Sequence, residues 1–117
     1  MAELTTHVLD TVRGRPAAGV SIRLYECRGE ERTLLKTVET NAGGRTNGPL
    51  LAGQALRVGV YELVFCAGPY FRAQGETLTD PPFLDEVAIR FGVSDPASHY
   101  HVPLLLAPYG YSTYRGS

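Results

Sequence analysis

The chain predicts an all-β fold, a sandwich of two stacked sheets, on three observations. Seven or eight short segments alternate apolar and polar residues with the period of a strand, and they recur at fairly even spacing. The 117 residues include 13 glycines and 8 prolines, many for a helical protein and suited to short strands joined by turns. Strands that follow one another without alternating helices bury their apolar faces by packing sheet on sheet.

The elements follow in order. Leu4 to Asp10 is a strand with Thr5, His7 and Leu9 on one face and Leu4, Thr6 and Val8 on the other. Arg13 to Pro16 is a turn, by its glycine and proline. Val20, Ile22 and Leu24 alternate with Ser21, Arg23 and Tyr25 in a half-buried strand. Arg28 to Arg32 is a charged loop, and Thr33 to Thr40 a third strand, polar enough to lie near a sheet edge. Asn41 to Pro49 is a dense turn cluster with Arg45 at its centre. Leu50 to Arg57 reads as a short strand plus a turn.

Gly59 to Phe65 is a strand whose Tyr61, Leu63 and Phe65 share a face. Gly68 to Gly75 holds one or two helical turns, the only helix expected, and Asp80-Pro-Pro82 breaks what precedes it. Val87, Ile89, Phe91 and Val93 alternate with Ala88, Arg90 and Gly92 in another strand. After the turn Ser94 to Ala97, Tyr100 to Leu106 and Tyr111 to about Arg115 form a terminal pair of strands around the turn Pro108 to Gly110. Pro103 has no N–H to give to a ladder, which predicts an open edge or an irregular neighbour beside it.

Bulk properties exclude several classes. A net charge of -1 leaves no electrostatic footprint for nucleic acid or a membrane surface. No apolar run approaches the roughly 20 residues of a membrane span. The first residues carry neither a basic region nor an apolar stretch of signal-peptide type. Cys27 and Cys66 fall at the ends of separate strands and are expected to be free thiols rather than a disulfide. The expectation is a single domain, 1–117, in the cytoplasm.

The residues able to carry chemistry gather in the terminal segment. His99 and His101 lie two apart on one strand, so their imidazoles face the same way, and His7 on the first strand is a candidate spatial neighbour. Imidazole titrates near neutral pH and can take a proton from water. His-X-His also admits a metal, with His7 as a third ligand, although no carboxylate or thiol has an obvious claim to join them. Singly, each residue has an ordinary reading: half-buried histidines, a solvent-facing Arg45, a frayed tail at Tyr114 to Ser117.

Together they resemble a known family. His99-Tyr-His-Val-Pro-Leu-Leu-Leu106, the tail Tyr114-Arg-Gly-Ser117 and the turn Pro108-Tyr-Gly-Tyr-Ser-Thr113 look like the signature of the transthyretin-like family, in its 5-hydroxyisourate hydrolase branch. His7 to Ala17 is similar to that family's first strand and turn, and Pro82 to Phe91 fits the strand before the terminal pair. Histidine at position 7, where the hormone carrier has lysine, sides with the enzyme.

The resemblance implies a transthyretin-like sandwich of two four-stranded sheets with one short helix. It implies hydrolysis of 5-hydroxyisourate to 2-oxo-4-hydroxy-4-carboxy-5-ureidoimidazoline in urate, hence purine, degradation. Carried over by position, His7, Arg45 and His101 would be catalytic, and His7, Arg45, Tyr114 and Ser117 would bind substrate. His99 is left as structural. No metal or organic cofactor is implied. A homotetramer, built as a dimer of dimers with sites in a channel between subunits, is implied as well. The alternative within the family is a small-ligand carrier using the same channel without turnover.

Overall fold

Period-2 alternation gives each long strand one apolar face, and the fold stacks those faces into one core. The computed structural model describes residues 2–117. Its strands are β1 (Glu3–Asp10), β2 (Arg15–Pro16), β3 (Ser21–Arg28), β4 (Glu31–Glu39) and β5 (Leu51–Ala52). They continue as β6 (Gly59–Cys66), β7 (Glu86–Val93), β8 (Tyr100–Ala107) and β9 (Gly110–Thr113), with one α-helix, α1 (Ala67–Ala73), after β6. Among the described residues no helix is long and apolar enough to cross a membrane.

One sheet has the order β4-β3-β6-β7, all antiparallel. The other runs β2-β1-β8-β9, with β5 also on β1. Two four-stranded sheets were expected, and the second has a fifth piece. That piece adds no width, because β2 pairs with Leu9 and Asp10 at one end of β1 while β5 pairs with Glu3 and Leu4 at the other. Between them the edge of β1 is left to a loop, and the site is built there.

The core lies between the sheets. Leu4 and Val8 from β1, Ile22 and Leu24 from β3, and Leu63 and Phe65 from β6 meet Leu104 and Leu106 of β8, all fully buried. A side chain of this kind stabilises by roughly 1.5–3 kcal/mol on complete burial. Helix α1 closes one end: Tyr70 and Phe71 are buried, and the Tyr70 hydroxyl donates to Asp10 Oδ2 at 2.7 Å. Asp10 also accepts from the Val12 and Arg13 backbone N–H groups, both at 3.0 Å, so this buried carboxylate is well partnered.

Several expectations met the structure with small shifts. The charged loop at 28–32 contracts to Gly29 and Glu30, because Gly29 takes φ 62° and lets Arg28 pair directly with Glu31. Strand β4 is the sheet edge expected of its polar sequence. Cys27 is buried, Cys66 is half-buried, and both are free thiols. Strand β8, in contrast, has no open edge, since it lies between β1 and β9.

The irregular neighbour that Pro103 called for is β9. Its ladder with β8 runs from Ala107 to Leu104 and stops, and Pro103 keeps contact only through its carbonyl, which accepts from Thr113 Oγ1 at 2.8 Å. Lacking an N–H, proline ends the ladder, so the second terminal strand closes at Thr113 rather than near Arg115. Pairing resumes once, where the Gly116 N–H donates to the His101 carbonyl at 2.8 Å.

Candidate functional site

The site is set by the pairing of β1 with β8. These strands are parallel, with Thr5 opposite His101 and His7 opposite Pro103. Leu4, Thr6, Val8 and Asp10 point into the core, so Thr5 and His7 project from the outer face of the sheet. His101 and Leu105 do the same from β8, where Tyr100, Val102, Leu104 and Leu106 are buried.

Arg45 reaches this face because the loop after β4 lies against the vacant middle of β1. The Val8 N–H donates to the Gly44 carbonyl at 2.8 Å. Gly44 has φ 74°, and a Cβ there would overlap the Val8 carbonyl oxygen, so the approach requires glycine. Asn41 Oδ1 accepts from the Gly43 N–H at 2.9 Å and the Arg45 N–H at 3.2 Å, which ties the loop into one turn. Arg45 is exposed and belongs to no ion pair among the described residues, leaving its charge free to meet a ligand.

His101 is held on three sides. Its Nδ1 lies 2.8 Å from Thr5 Oγ1, and the His99 ring stacks on it with centroids 6.4 Å apart and planes 15° from parallel. On another side the Gly116 backbone packs so closely that a Cβ there would come within 2.6 Å of His101 Cδ2. Nε2 has no protein hydrogen-bond partner, yet no buried side-chain nitrogen or oxygen among the described residues lacks one. The Nε2 atom is therefore open to solvent. A cleft of about 350 Å³ lies there, lined by Thr5, Thr6, Arg45, His99, His101 and Ser117 among others.

His7 sits beside this cleft rather than in its wall. Its Nε2 lies 2.9 Å from the Gly43 carbonyl. A carbonyl only accepts, so Nε2 carries the hydrogen and the neutral ring keeps its lone pair on Nδ1. Burial and the nearby Arg45 charge lower the proton affinity of His7, against a small opposing effect of the Gly43 bond. Burial, then Arg45, then His99 and His7 lower that of His101. Both imidazoles are accordingly neutral at neutral pH, which is the form able to accept a proton. The three histidines form no metal-binding set: among the described residues no group of three His, Cys, Asp or Glu side chains gathers that could hold an ion.

Of the residues read from sequence, the fold brings Arg45, His101 and Ser117 to one cleft, with His7 coupled to it through Arg45 and Gly43. Tyr114 goes elsewhere. It helps line a second, more apolar cleft of about 310 Å³ with Ile89, Phe91, Tyr100 and Val102. Arg115 stacks its guanidinium 4.2 Å from the Tyr100 ring centroid and donates to the His99 carbonyl at 3.1 Å. His99, set aside as structural, lines the cleft. Thr5 was not singled out at all, although it shares a strand face with His7 and so carried a signal.

Fold and cleft together define a transthyretin-like sandwich with an imidazole and guanidinium site on the open face of one sheet. Residues 4–116 match the transthyretin family, described as the HIUase/Transthyretin family. A 5-hydroxyisourate hydrolase of Mesorhizobium japonicum is 65% identical over 97% of this chain and 91% of its own. In crystal structures, an (S)-allantoin synthase is 45% identical with TM-score 0.92, covering 98% of this chain, which spans only 43% of that protein. The Klebsiella pneumoniae 5-hydroxyisourate hydrolase is 37% identical with TM-score 0.80, over the whole of both chains. The chain belongs to the HIUase/transthyretin family.

Proposed function

We propose that this chain is an enzyme that hydrolyses 5-hydroxyisourate to 2-oxo-4-hydroxy-4-carboxy-5-ureidoimidazoline, a step of urate breakdown. The observation that carries the reading is a neutral His101 with an unpartnered Nε2, lining the same cleft as Arg45, which belongs to no ion pair among the described residues. The relatives named above, hydrolases of this substrate at up to 65% identity, support it. A carrier without turnover would have no use for a proton acceptor beside a free cation.

The chemistry is addition of water to a ring carbonyl followed by opening of the adjacent C–N bond. As the water oxygen bonds to the carbonyl carbon, one of its protons passes to an imidazole of the pair His7 and His101. The same proton then serves the departing nitrogen, so the imidazole ends neutral. Such transfer contributes typically 10²–10⁴-fold. Arg45 stabilises the oxygen that becomes anionic, an effect largest where water is excluded. Ser117, in the cleft wall, orients the polar edge of the substrate. For Tyr114 the support is the likeness of the tail to the family, since the residue lines the neighbouring cleft.

Exclusion of water asks for a roof over this face, and we assign that to assembly as a homotetramer. The half-buried Leu9 and Leu105 on the outer face, and the exposed Tyr111 on edge strand β9, support such burial. Two free thiols fit a cytoplasmic, reducing compartment.

The test is optical: 5-hydroxyisourate is generated with urate oxidase, and its decay is followed with the protein, with His101→Asn, and with chelator present. Fast decay lost in the variant and kept with chelator is expected. Decay at the spontaneous rate with the unaltered protein would overturn the reading and leave a ligand carrier.

A further inference from the structure

Thr5 and His99 have no role in the reaction just described, yet among the described residues they make the one side-chain hydrogen-bonded chain that ends on His101. Thr5 Oγ1 lies 2.8 Å from His101 Nδ1 and 3.3 Å from His99 Nε2. A hydroxyl has a single hydrogen and two lone pairs, so it can donate to only one of the two rings. Two arrangements place that hydrogen between the rings, and a third, in which Thr5 accepts from both, leaves His101 with the same tautomer as the first. In the first, His101 Nδ1–H donates to Thr5 and Thr5 donates to His99 Nε2, and His101 Nε2 is a bare lone pair. In the second every hydrogen is reversed, and His101 Nε2 carries a hydrogen and cannot take one from water.

We propose that Thr5 and His99 are positioning residues that hold His101 in the first arrangement, with its hydrogen on Nδ1 and its Nε2 lone pair open to the cleft. The inference rests on the reading of His101 as a water-activating group. Electrostatics on this face chooses between the arrangements. Arg45 lines the same cleft, and a fixed cation favours a lone pair facing it over an N–H dipole. His99 supplies the acceptor for the Thr5 hydrogen and so turns the hydroxyl's lone pairs toward His101. The Gly116 backbone packs against one side of the ring, and the His99 ring lies near-parallel to it with centroids 6.4 Å apart. Ring orientation and hydrogen position are thereby fixed by separate neighbours, as they are wherever an imidazole's second nitrogen is tied to a partner.

The test reads hydrogen placement and turnover separately. Long-range ¹H–¹⁵N correlation spectra of the folded protein, which has only three histidines, are expected to show His101 protonated at Nδ1 and bare at Nε2. Thr5→Val keeps the shape of the side chain and removes the hydroxyl. It should let both tautomers appear and lower kcat roughly tenfold, the worth of about one hydrogen bond, with KM within about twofold. Thr5→Ser should restore both the spectrum and the rate, and His99→Phe, which keeps a ring in the stack without its acceptor, should behave like Thr5→Val.

A hydrogen on Nε2 of His101 in the unaltered protein overturns the proposal whatever the variants do. So does a Thr5→Val protein with unchanged kcat, or one whose loss is mirrored in KM and not recovered by serine. If His101→Asn keeps full activity, the parent reading fails instead, and the spectrum still decides the tautomer.

Discussion

Gly116→Ala tests the site with one added methyl group. Gly116 does not lie at positive φ, so alanine strains no backbone torsion there, and the effect is one of contact alone. The new Cβ would stand 2.6 Å from His101 Cδ2, where ordinary contact begins at 3.4 Å, so ring or tail must yield by about 0.8 Å. Moving the ring strains its hold on Thr5 Oγ1 and shifts Nε2 by a similar distance; misplacement of a reacting group by about 1 Å can cost 10²-fold. Moving the tail breaks the 2.8 Å bond from Gly116 N–H to the His101 carbonyl, worth about 1 kcal/mol, and carries Ser117 out of the cleft. Either route lowers kcat by roughly 10- to 100-fold while the core, which lies on the other face of the sheet, is untouched. The assay is the decay of freshly made 5-hydroxyisourate, paired with a thermal melt that should move by no more than a few degrees. Full activity in Gly116→Ala, or an equal loss of stability, would refute the reasoning that the tail clamps His101.

Arg45→Ala, read in the same assay, should lower kcat by about 10²–10³-fold without unfolding the chain, because the arginine is exposed and belongs to no ion pair among the described residues. Activity should hold above pH 6.5 and fall on acidification, as His7 and His101, with proton affinities lowered by burial and by Arg45, become charged; NMR titration of the two rings checks the midpoints. The same shifts destabilise the fold in acid: the unfolded chain, with the higher histidine pKa, binds more protons just below pH 6.5, so denaturant midpoints should drop through that window and drop less in His7→Asn. Tyr70→Phe removes one hydrogen bond from the buried Asp10 carboxylate and should cost about 2 kcal/mol, seen as a melting temperature lower by roughly 5–10 °C, with turnover unchanged.

Alternation within single strands determined much of this protein from sequence. It separated the core residues Leu4, Val8, Ile22, Leu24 and Leu63 from the outward-facing Thr5 and His7 and put His99 and His101 on one side, while plain polarity marked β4 as an edge. Proline and glycine carried the turns, the short helix and the break in pairing at Pro103, since their backbone restrictions act within a residue or two. What only the tertiary structure decided is how distant segments register. Thr5 and His101 are 96 residues apart and meet because β1 and β8 pair in parallel, an alignment chosen by packing across the sandwich and not by any local pattern. The division of one sheet edge between β2 and β5, which admits Gly44 and delivers Arg45, is equally invisible in the turn cluster itself. So is the parting of Tyr114 from Ser117 into two clefts, three residues apart in sequence. Periodicity tells a side chain which face to take, and the global fold alone tells it whom it will meet there.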